Sequence, residues 1–303
     1  MKKLLSLLLL AATPLFANPF LVCPAVTSGI SNSPASYTVS GLPNSPITSN
    51  AVTITSGTVQ LDLDLGSAGQ AVPAGSYTVS ATATNTNGTS AASANFGLTV
   101  TPFVQGANVV GTATAVGSVS LAYGSNEAAG NTNVVCVYWY KASSPPTISS
   151  ITDTNGNSYT LAKSEINYNT GNNEAVYYAT GIAAGANTVT VNFSASTATY
   201  ASIMETEYSW LGALDAAAGA TGASGTSLSS GNLTTTVTGD QLIGFQVGNS
   251  AFTVGTGYTQ RISSGSGNWV TEDKAAGAAG SYSATSTQAS SGGWSSICVA
   301  FKP

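Results

Sequence analysis

The chain contains no histidine, and of its 303 residues only 12 are acidic and 7 basic. Without His it lacks the usual general base, the Ser-His-Asp triad and nearly all zinc and copper sites. Charged residues make up 6% of the chain, where a soluble domain carries about a quarter. Seven scattered Lys and Arg form no basic stripe to neutralise phosphates or hold anionic lipid, so no nucleic-acid partner is expected. Cysteine is scarce, with Cys23, Cys136 and Cys298, and an odd number cannot all pair within one chain. No apolar stretch reaches about 18 residues, so no membrane span is expected. The composition predicts no cofactor, no resident metal, no catalytic residue and no enzymatic activity.

What is present is apolar and hydroxylic. Apolar residues reach 43%, and Ser, Thr and Gly together exceed a third of the chain, too apolar a mixture for disorder. Residues 1–17 read as an export signal: Lys2 and Lys3, an apolar run from Leu4 to Ala12, a break at Pro14 and small Ala17. Its apolar core is too short to span a bilayer. Cleavage after Ala17 removes two lysines and takes the net charge from −5 to −7. The expected location is secreted or at the cell surface.

Strand signals dominate, with runs of four to eight residues alternating apolar with Thr or Ser between Gly, Asn and Pro clusters. The cleanest is Thr188 to Phe193, where Val189, Val191 and Phe193 should share one face. Similar runs are Ala51–Ser56, Val59–Leu65, Tyr77–Thr84, Val134–Tyr140, Ala201–Tyr208, Leu233–Thr238 and Leu242–Val247. Helical periodicity is nowhere sustained, and the Ala/Gly segment Ala213–Ala223 reads as loop, since each Gly costs a helix about 1 kcal/mol against Ala. Asn155-Gly156 predicts a hairpin turn between Ile151 and Tyr159. The phrases Ala74-Gly75-Ser76-Tyr77, Ala184-Gly185-Ala186-Asn187 and Ala279-Gly280-Ser281-Tyr282 precede strands. Their dissimilar surroundings suggest a reused turn and not a tandem repeat. A boundary near Thr101-Pro102 divides the mature chain into domains 18–101 and 102–303.

The segment Tyr77–Ser90 resembles the closing strands of a fibronectin type III or related immunoglobulin-like module, following its Tyr…Ala-x-Asn-x-x-Gly-x-Ser pattern. The remainder resembles a family of exported bacterial jelly-roll domains of largely unassigned function. That likeness rests on Gly130–Val137, Ile151–Thr160, Ala184–Val191, Glu207–Ser209, Glu272–Lys274 and Ser291–Trp294 through Ala300–Lys302, in that order. The resemblances imply an all-β protein, an immunoglobulin/fibronectin III-like sandwich followed by a jelly-roll β-sandwich, and transfer no catalytic residues.

Several constellations could carry chemistry. Glu205 and Glu207 stand two apart on an apparent strand and so share a face, a spacing compatible with glycoside hydrolysis. The stronger reading has them solvated or matched to Lys274 or Arg261, with Glu272-Asp273-Lys274 a surface cluster. Asp153, Asn155 and Asn157 partly match a calcium loop, because Ca²⁺ favours oxygen ligands at alternating positions, although a plain turn explains the same residues. Thirteen Tyr and four Trp suggest sugar stacking, aromatic rings covering pyranose faces while amides satisfy hydroxyls. Tyr138, Trp139 and Tyr140 continue an apolar run and are assigned to the core. Tyr168, with Asn172, and Trp269, with Asn268, lie in polar stretches and are the candidate glycan contacts. Cys136 and Cys298 are expected on neighbouring strands, where export would allow a disulfide. The expected function is non-catalytic binding or adhesion toward an extracellular glycan or surface protein, with a structural spacer or fibre component as the alternative and a carboxylate-dependent glycosidase behind both.

Overall fold

The computed structural model describes residues 20–24, 36–40, 47–49, 51–55, 58–62, 75–85, 88–89 and 96–100, and then 102–166, 171–209, 211–265 and 268–303. The expected export signal lies outside them. Among the described residues there is no helix, and the chain is all-β, built from antiparallel sheets. It divides into one unit of Met1–Gln70 with Tyr77–Leu98 and another of Ala71–Ser76 with Thr99–Pro303.

The first unit is built on β1 (Phe20–Pro24), β2 (Ser36–Ser40), β3 (Ile47–Ser49), β4 (Ala51–Thr55), β5 (Thr58–Asp62), β6 (Gly75–Asn85), β7 (Gly88–Thr89) and β8 (Phe96–Val100). One sheet runs β1-β5-β4; the other runs β3-β2-β6-β7, with β8 also on β6. Val79 of β6 is buried.

The second unit opens with β9 (Phe103–Val109), β10 (Ser118–Ala122), β11 (Thr132–Tyr140), β12 (Ile148–Asp153), β13 (Thr160–Ile166), β14 (Asn172–Thr180), β15 (Thr188–Phe193) and β16 (Thr199–Tyr208). It continues with β17 (Leu214–Gly222), β18 (Ser227–Ser229), β19 (Leu233–Thr234), β20 (Gln241–Val247), β21 (Phe252–Val254), β22 (Thr259–Ser263), β23 (Trp269–Ala275), β24 (Ser281–Tyr282), β25 (Thr285–Gln288) and β26 (Trp294–Phe301). The first eight strands make a five-stranded sheet, β13-β14-β11-β16-β9, and a three-stranded one, β10-β15-β12. The others make β17-β26-β20-β23-β22 and β18-β25-β21, beside the small pair β19-β24.

With that small pair set aside, numbering the strands of each half from one to eight gives the same arrangement twice, 5-6-3-8-1 over 2-7-4. The irregularities coincide as well. Strand five bulges against strand six between Leu161 and Lys163 in one half and between Gln260 and Ile262 in the other. The register between strands eight and one shifts at Glu207/Tyr208 and again at Leu214/Ala216. The second unit is therefore an internal duplication, contrary to the reading of the recurrent phrase as a mere reused turn. Ala184 and Ala279 open that phrase just before strand seven of each copy.

The two five-stranded sheets face each other across a core of Val134, Cys136, Tyr138, Val176, Met204, Tyr208, Ile243, Phe245, Val247, Ile297, Val299 and Phe301. Each large side chain buried there contributes about 1.5–3 kcal/mol. Strand β9 lies by β22 and β13 by β17, so strand one of each half meets strand five of the other. This is the self-complementary contact of a twofold axis, here within one chain and parallel to the strands. Each three-stranded sheet covers the outer face of its own half. Val135, Val137 and Trp139 pack with Val189, Val191 and Phe193 in the first half, and Leu242, Cys298 and Ala300 with Ala284 in the second.

Four sequence expectations change. Ala213–Ala223 contains strand β17, paired along β26; its small residues suit an edge under close cover, and a Cβ on Gly222 would stand 2.4 Å from the Trp294 ring. Asn155-Gly156 makes a turn, with Gly156 at φ +76°, but no hairpin, because β12 pairs with β15 while β13 pairs with β14 in another sheet. The run Leu233–Thr238 shortens to β19. Cys136 and Cys298 are free, buried thiols. Cys136 faces the central core between β14 and β16, and Cys298 faces the outer core between β17 and β20. They stand on different sheets, so the expected disulfide does not form.

Candidate functional site

Because β11 and β20 occupy the centres of the facing sheets, their C-terminal ends emerge together on the twofold axis. Beside them begin the antiparallel neighbours β14, β16 and β23. These ends enclose a cleft of about 310 Å³. Tyr138 and Tyr140 come from β11, two residues apart and hence on one face, while Asn172 and Tyr200 come from β14 and β16. Gly248, Asn249, Asn268 and Trp269 close the side belonging to the second half.

Tyr200 is placed by a β-bulge. Tyr138 pairs with Ser202 and Tyr140 with Thr199, leaving Trp139 opposed by both Tyr200 and Ala201. Tyr200 takes φ +52°, a conformation that costs a bulky residue about 1–3 kcal/mol and collects at functional sites. Its N–H donates to the Thr112 carbonyl at 2.6 Å, and the Ser202 hydroxyl donates to its carbonyl at 2.7 Å. That hydroxyl also accepts from the Gly111 N–H at 2.9 Å. Gly111 is required there, because a Cβ would lie 2.2 Å from the Ala201 carbonyl oxygen. The result is a tyrosine held 45% exposed at the rim.

The rings stand in two pairs. Tyr138 and Trp269 lie 4.8 Å apart between centroids with planes at 40°, and Tyr140 and Tyr200 lie 6.4 Å apart at 66°. Between them sit carboxamides. The Tyr138 hydroxyl donates to Asn172 Oδ1, and the Asn172 amide nitrogen forms no hydrogen bond among the described residues. Among the described residues the side chains of Asn249 and Asn268 form no hydrogen bond, although their backbones do. Apolar faces beside uncommitted amide donors and acceptors can hold a ligand with C–H surfaces and hydroxyls. None of the lining residues carries a charge.

Of the predicted glycan contacts, Asn172, Asn268 and Trp269 come together here, and Tyr168 lies outside the described residues. Trp269 opens β23 where sequence reading placed it in a loop. Tyr138 and Tyr140, assigned to the core, line the cleft, although Tyr138 is only 7% exposed. Tyr200 and Asn249 were missed. The available signal for the tyrosines was their i, i+2 spacing at the end of an apolar strand.

The paired glutamates are elsewhere and inaccessible. Glu205 and Glu207 share a face of β16, as their spacing implied, yet both are fully buried and neither meets Lys274 or Arg261. Glu207 accepts from Gln105 and Asn131, both at 2.6 Å, and from the Ala128 N–H at 3.0 Å. Glu127, also buried, accepts from Asn133 at 2.5 Å, Asn187 at 2.9 Å and Asn155 at 3.3 Å. Both Glu205 oxygens lack a partner among the described residues. Burial, reinforced by Glu127, Asp153 and Glu207, pushes its carboxyl well above the ordinary range.

The candidate calcium residues form a hydrogen-bonded turn. Asp153 accepts from the N–H groups of Asn155 and Asn157 and from the side chains of Asn157, Tyr159 and Asn187. Burial raises the Asp153 carboxyl, but these donors outweigh it and hold the group below its usual value. The Asn157 side-chain oxygen is taken by the Ala183 N–H at 2.9 Å, so the Asp153 and Asn157 oxygens point at donors. Among the described residues no three His, Cys, Asp or Glu side chains gather as a metal site.

Glu272-Asp273-Lys274 is not a surface cluster, since Glu272 and Asp273 are buried. Asp273 pairs with Arg261 at 2.8 Å, and that guanidinium lies 4.5 Å over the Phe103 ring. Lys274 lies over the Tyr258 ring.

No protein family, curated protein or solved structure matches the chain.

Proposed function

We propose that this protein is a non-catalytic glycan-binding module of the cell surface or extracellular space, exported through residues 1–17. The observation that carries the reading is the cleft on the twofold axis, where two aromatic pairs stand with the Asn249 and Asn268 amides, which have no side-chain partner among the described residues, and with Asn172, whose oxygen alone is engaged. Burial of Glu205 and Glu207 weighs against a glycosidase built on them, because a sugar would have to enter a closed core to reach either. The strand order 1-8-3-6-5 over 2-7-4 in each half is that of a jelly roll with strand five moved to the larger sheet, which supports a tandem jelly-roll assignment. The immunoglobulin or fibronectin III-like assignment of residues 18–101 rests on the Tyr77–Ser90 pattern and a two-sheet arrangement.

The reading is tested on a glycan array with the whole protein and Trp269→Ala. Binding to at least one glycan, weakened by about 1 kcal/mol or more in the variant at unchanged melting temperature, is expected. Absence of binding across the array, or full binding by the variant, would overturn it.

A further inference from the structure

Resting on that reading, we infer that the cleft takes the uncharged terminus of a saccharide, one or two hexose rings, and rejects anionic sugars. Three observations lead there. The lining residues are aromatic, carboxamide or glycine, so nothing in the wall compensates a carboxylate or sulfate stripped of water, and an uncompensated buried anion is strongly disfavoured. The surrounding field adds to this, because acidic residues outnumber basic ones 12 to 7 over the chain and a net negative protein repels anions at long range.

Size gives the second limit. A volume of about 310 Å³ lies at the lower end of ligand pockets, about 300–1,000 Å³, which suits a chain end and not a polymer laid through a groove. Chemistry gives the third. Asn249 and Asn268 each offer one donor group and one acceptor, and Asn172 keeps its donor while Tyr138 occupies its oxygen. Hydroxyls, which both give and accept protons, match this mixture. A proline-rich peptide, the other common occupant of aromatic-lined clefts, presents chiefly carbonyl acceptors and would leave the amide oxygens unmatched.

The Tyr140–Tyr200 pair supplies the selective element. Tyr200 is held by the bulge with 45% of its surface exposed, so a sugar face can cover it, whereas Tyr138, packed against Trp269, is 7% exposed.

The test titrates the whole protein with lactose, maltose, cellobiose, mannobiose and N,N′-diacetylchitobiose, with a sialylated or sulfated form of each, and with a PxxP peptide. Binding heat is followed by titration calorimetry in wild type, Trp269→Ala and Tyr200→Ala. At least one neutral disaccharide should bind, at least tenfold tighter than its anionic forms, with at least a tenfold loss in both variants. An anionic form that binds as tightly, with the same loss in Trp269→Ala, overturns the neutral class while the glycan reading stands. Neutral binding that survives in Tyr200→Ala overturns the selective role of the Tyr140–Tyr200 pair. Binding of the peptide alone overturns both readings, and binding of none of these probes overturns the neutral-terminus assignment while the array decides the glycan reading.

Discussion

Glu272 is a carboxyl that the fold makes more basic, and Glu272→Gln should therefore remove a pH dependence of stability. The side chain is fully buried between the larger and smaller sheets of the second half, close enough to the main chain that a Cβ on Gly244 would stand 2.9 Å from its Cγ. Burial raises it from 4.5 to about 7, opposed by hydrogen bonds from the Gly255 N–H at 3.1 Å and Gln246 at 3.0 Å. An acid whose folded value is raised holds its proton longer in the folded than in the unfolded state. Its contribution is thus complete below pH 4.5, is lost as pH rises toward 7, and stays lost above. The shift corresponds to a loss of about 3 kcal/mol. The glutamine variant can keep both contacts: the Gly255 N–H donates to its carbonyl oxygen while its NH₂ donates to Gln246, whose Oε1 is buried without a partner and can be presented by a flip of that amide. Wild type and variant should match within about 1 kcal/mol at pH 4.5, and at pH 8 the variant should be more stable by about 3 kcal/mol. With an m-value of about 2–3 kcal/mol/M, the urea midpoints should then differ by about 1–1.5 M. All four tryptophans fall between residues 139 and 294, so their emission reports on the second unit. Parallel pH profiles for the two proteins, at equal m-values, would refute the reasoning.

Other outcomes follow from geometry. Gly111→Ala should destabilise the second unit by about 1–3 kcal/mol and weaken glycan binding, because the new methyl meets the Ala201 backbone beside Tyr200; calorimetry with the array decides it, and an unchanged melting point removes the argument. Asp153→Ala should cost about 2–4 kcal/mol, since it strips an acceptor from five donors, and exhaustive chelation should leave the wild-type melting temperature unchanged; a wild-type melting temperature that falls in EDTA and recovers with calcium would return the loop to metal binding. Peptide mapping without reduction should recover Cys136 and Cys298 as thiols that react only after unfolding, and a peptide joining them would contradict the assignment of the two residues to different sheets.

The all-β class and several strands were legible because a half-covered strand alternates. Thr188–Phe193 does so cleanly, with Val189, Val191 and Phe193 inward. The central strands resist that reading for a physical reason. Gln241–Val247 is buried along its whole length because its sheet is covered on both faces, so its residues form a continuous run with no outward side. The same double cover hides Glu205, Glu207 and Glu272, which by residue type alone belong in water. The cleft was half legible. Asn172, Asn268 and Trp269 stood out by their polar surroundings, whereas Tyr138 and Tyr140 looked like core because their strand is core up to its final turn of the pleat. Tyr200 depends on a bulge, which leaves no mark in a single sequence. The duplication escaped because the two halves repeat strand order and bulge position while exchanging side chains, Glu205 standing where the other half has Cys298.

The position of the last strand in each half governs how the second unit assembles. Strand β16 inserts between β11 and β9, and β26 between β20 and β17, so each larger sheet joins its first strand to the rest only through its last. Such pairings close long loops and form slowly. A chain that has emerged up to residue 208 has delivered one complete half whose inner sheet face is still bare, and the partner face cannot be finished until residue 301 has emerged. The emerging chain thus passes through a stage with a broad apolar sheet uncovered, the species most prone to pair with another copy. A truncation before β26 would freeze it there.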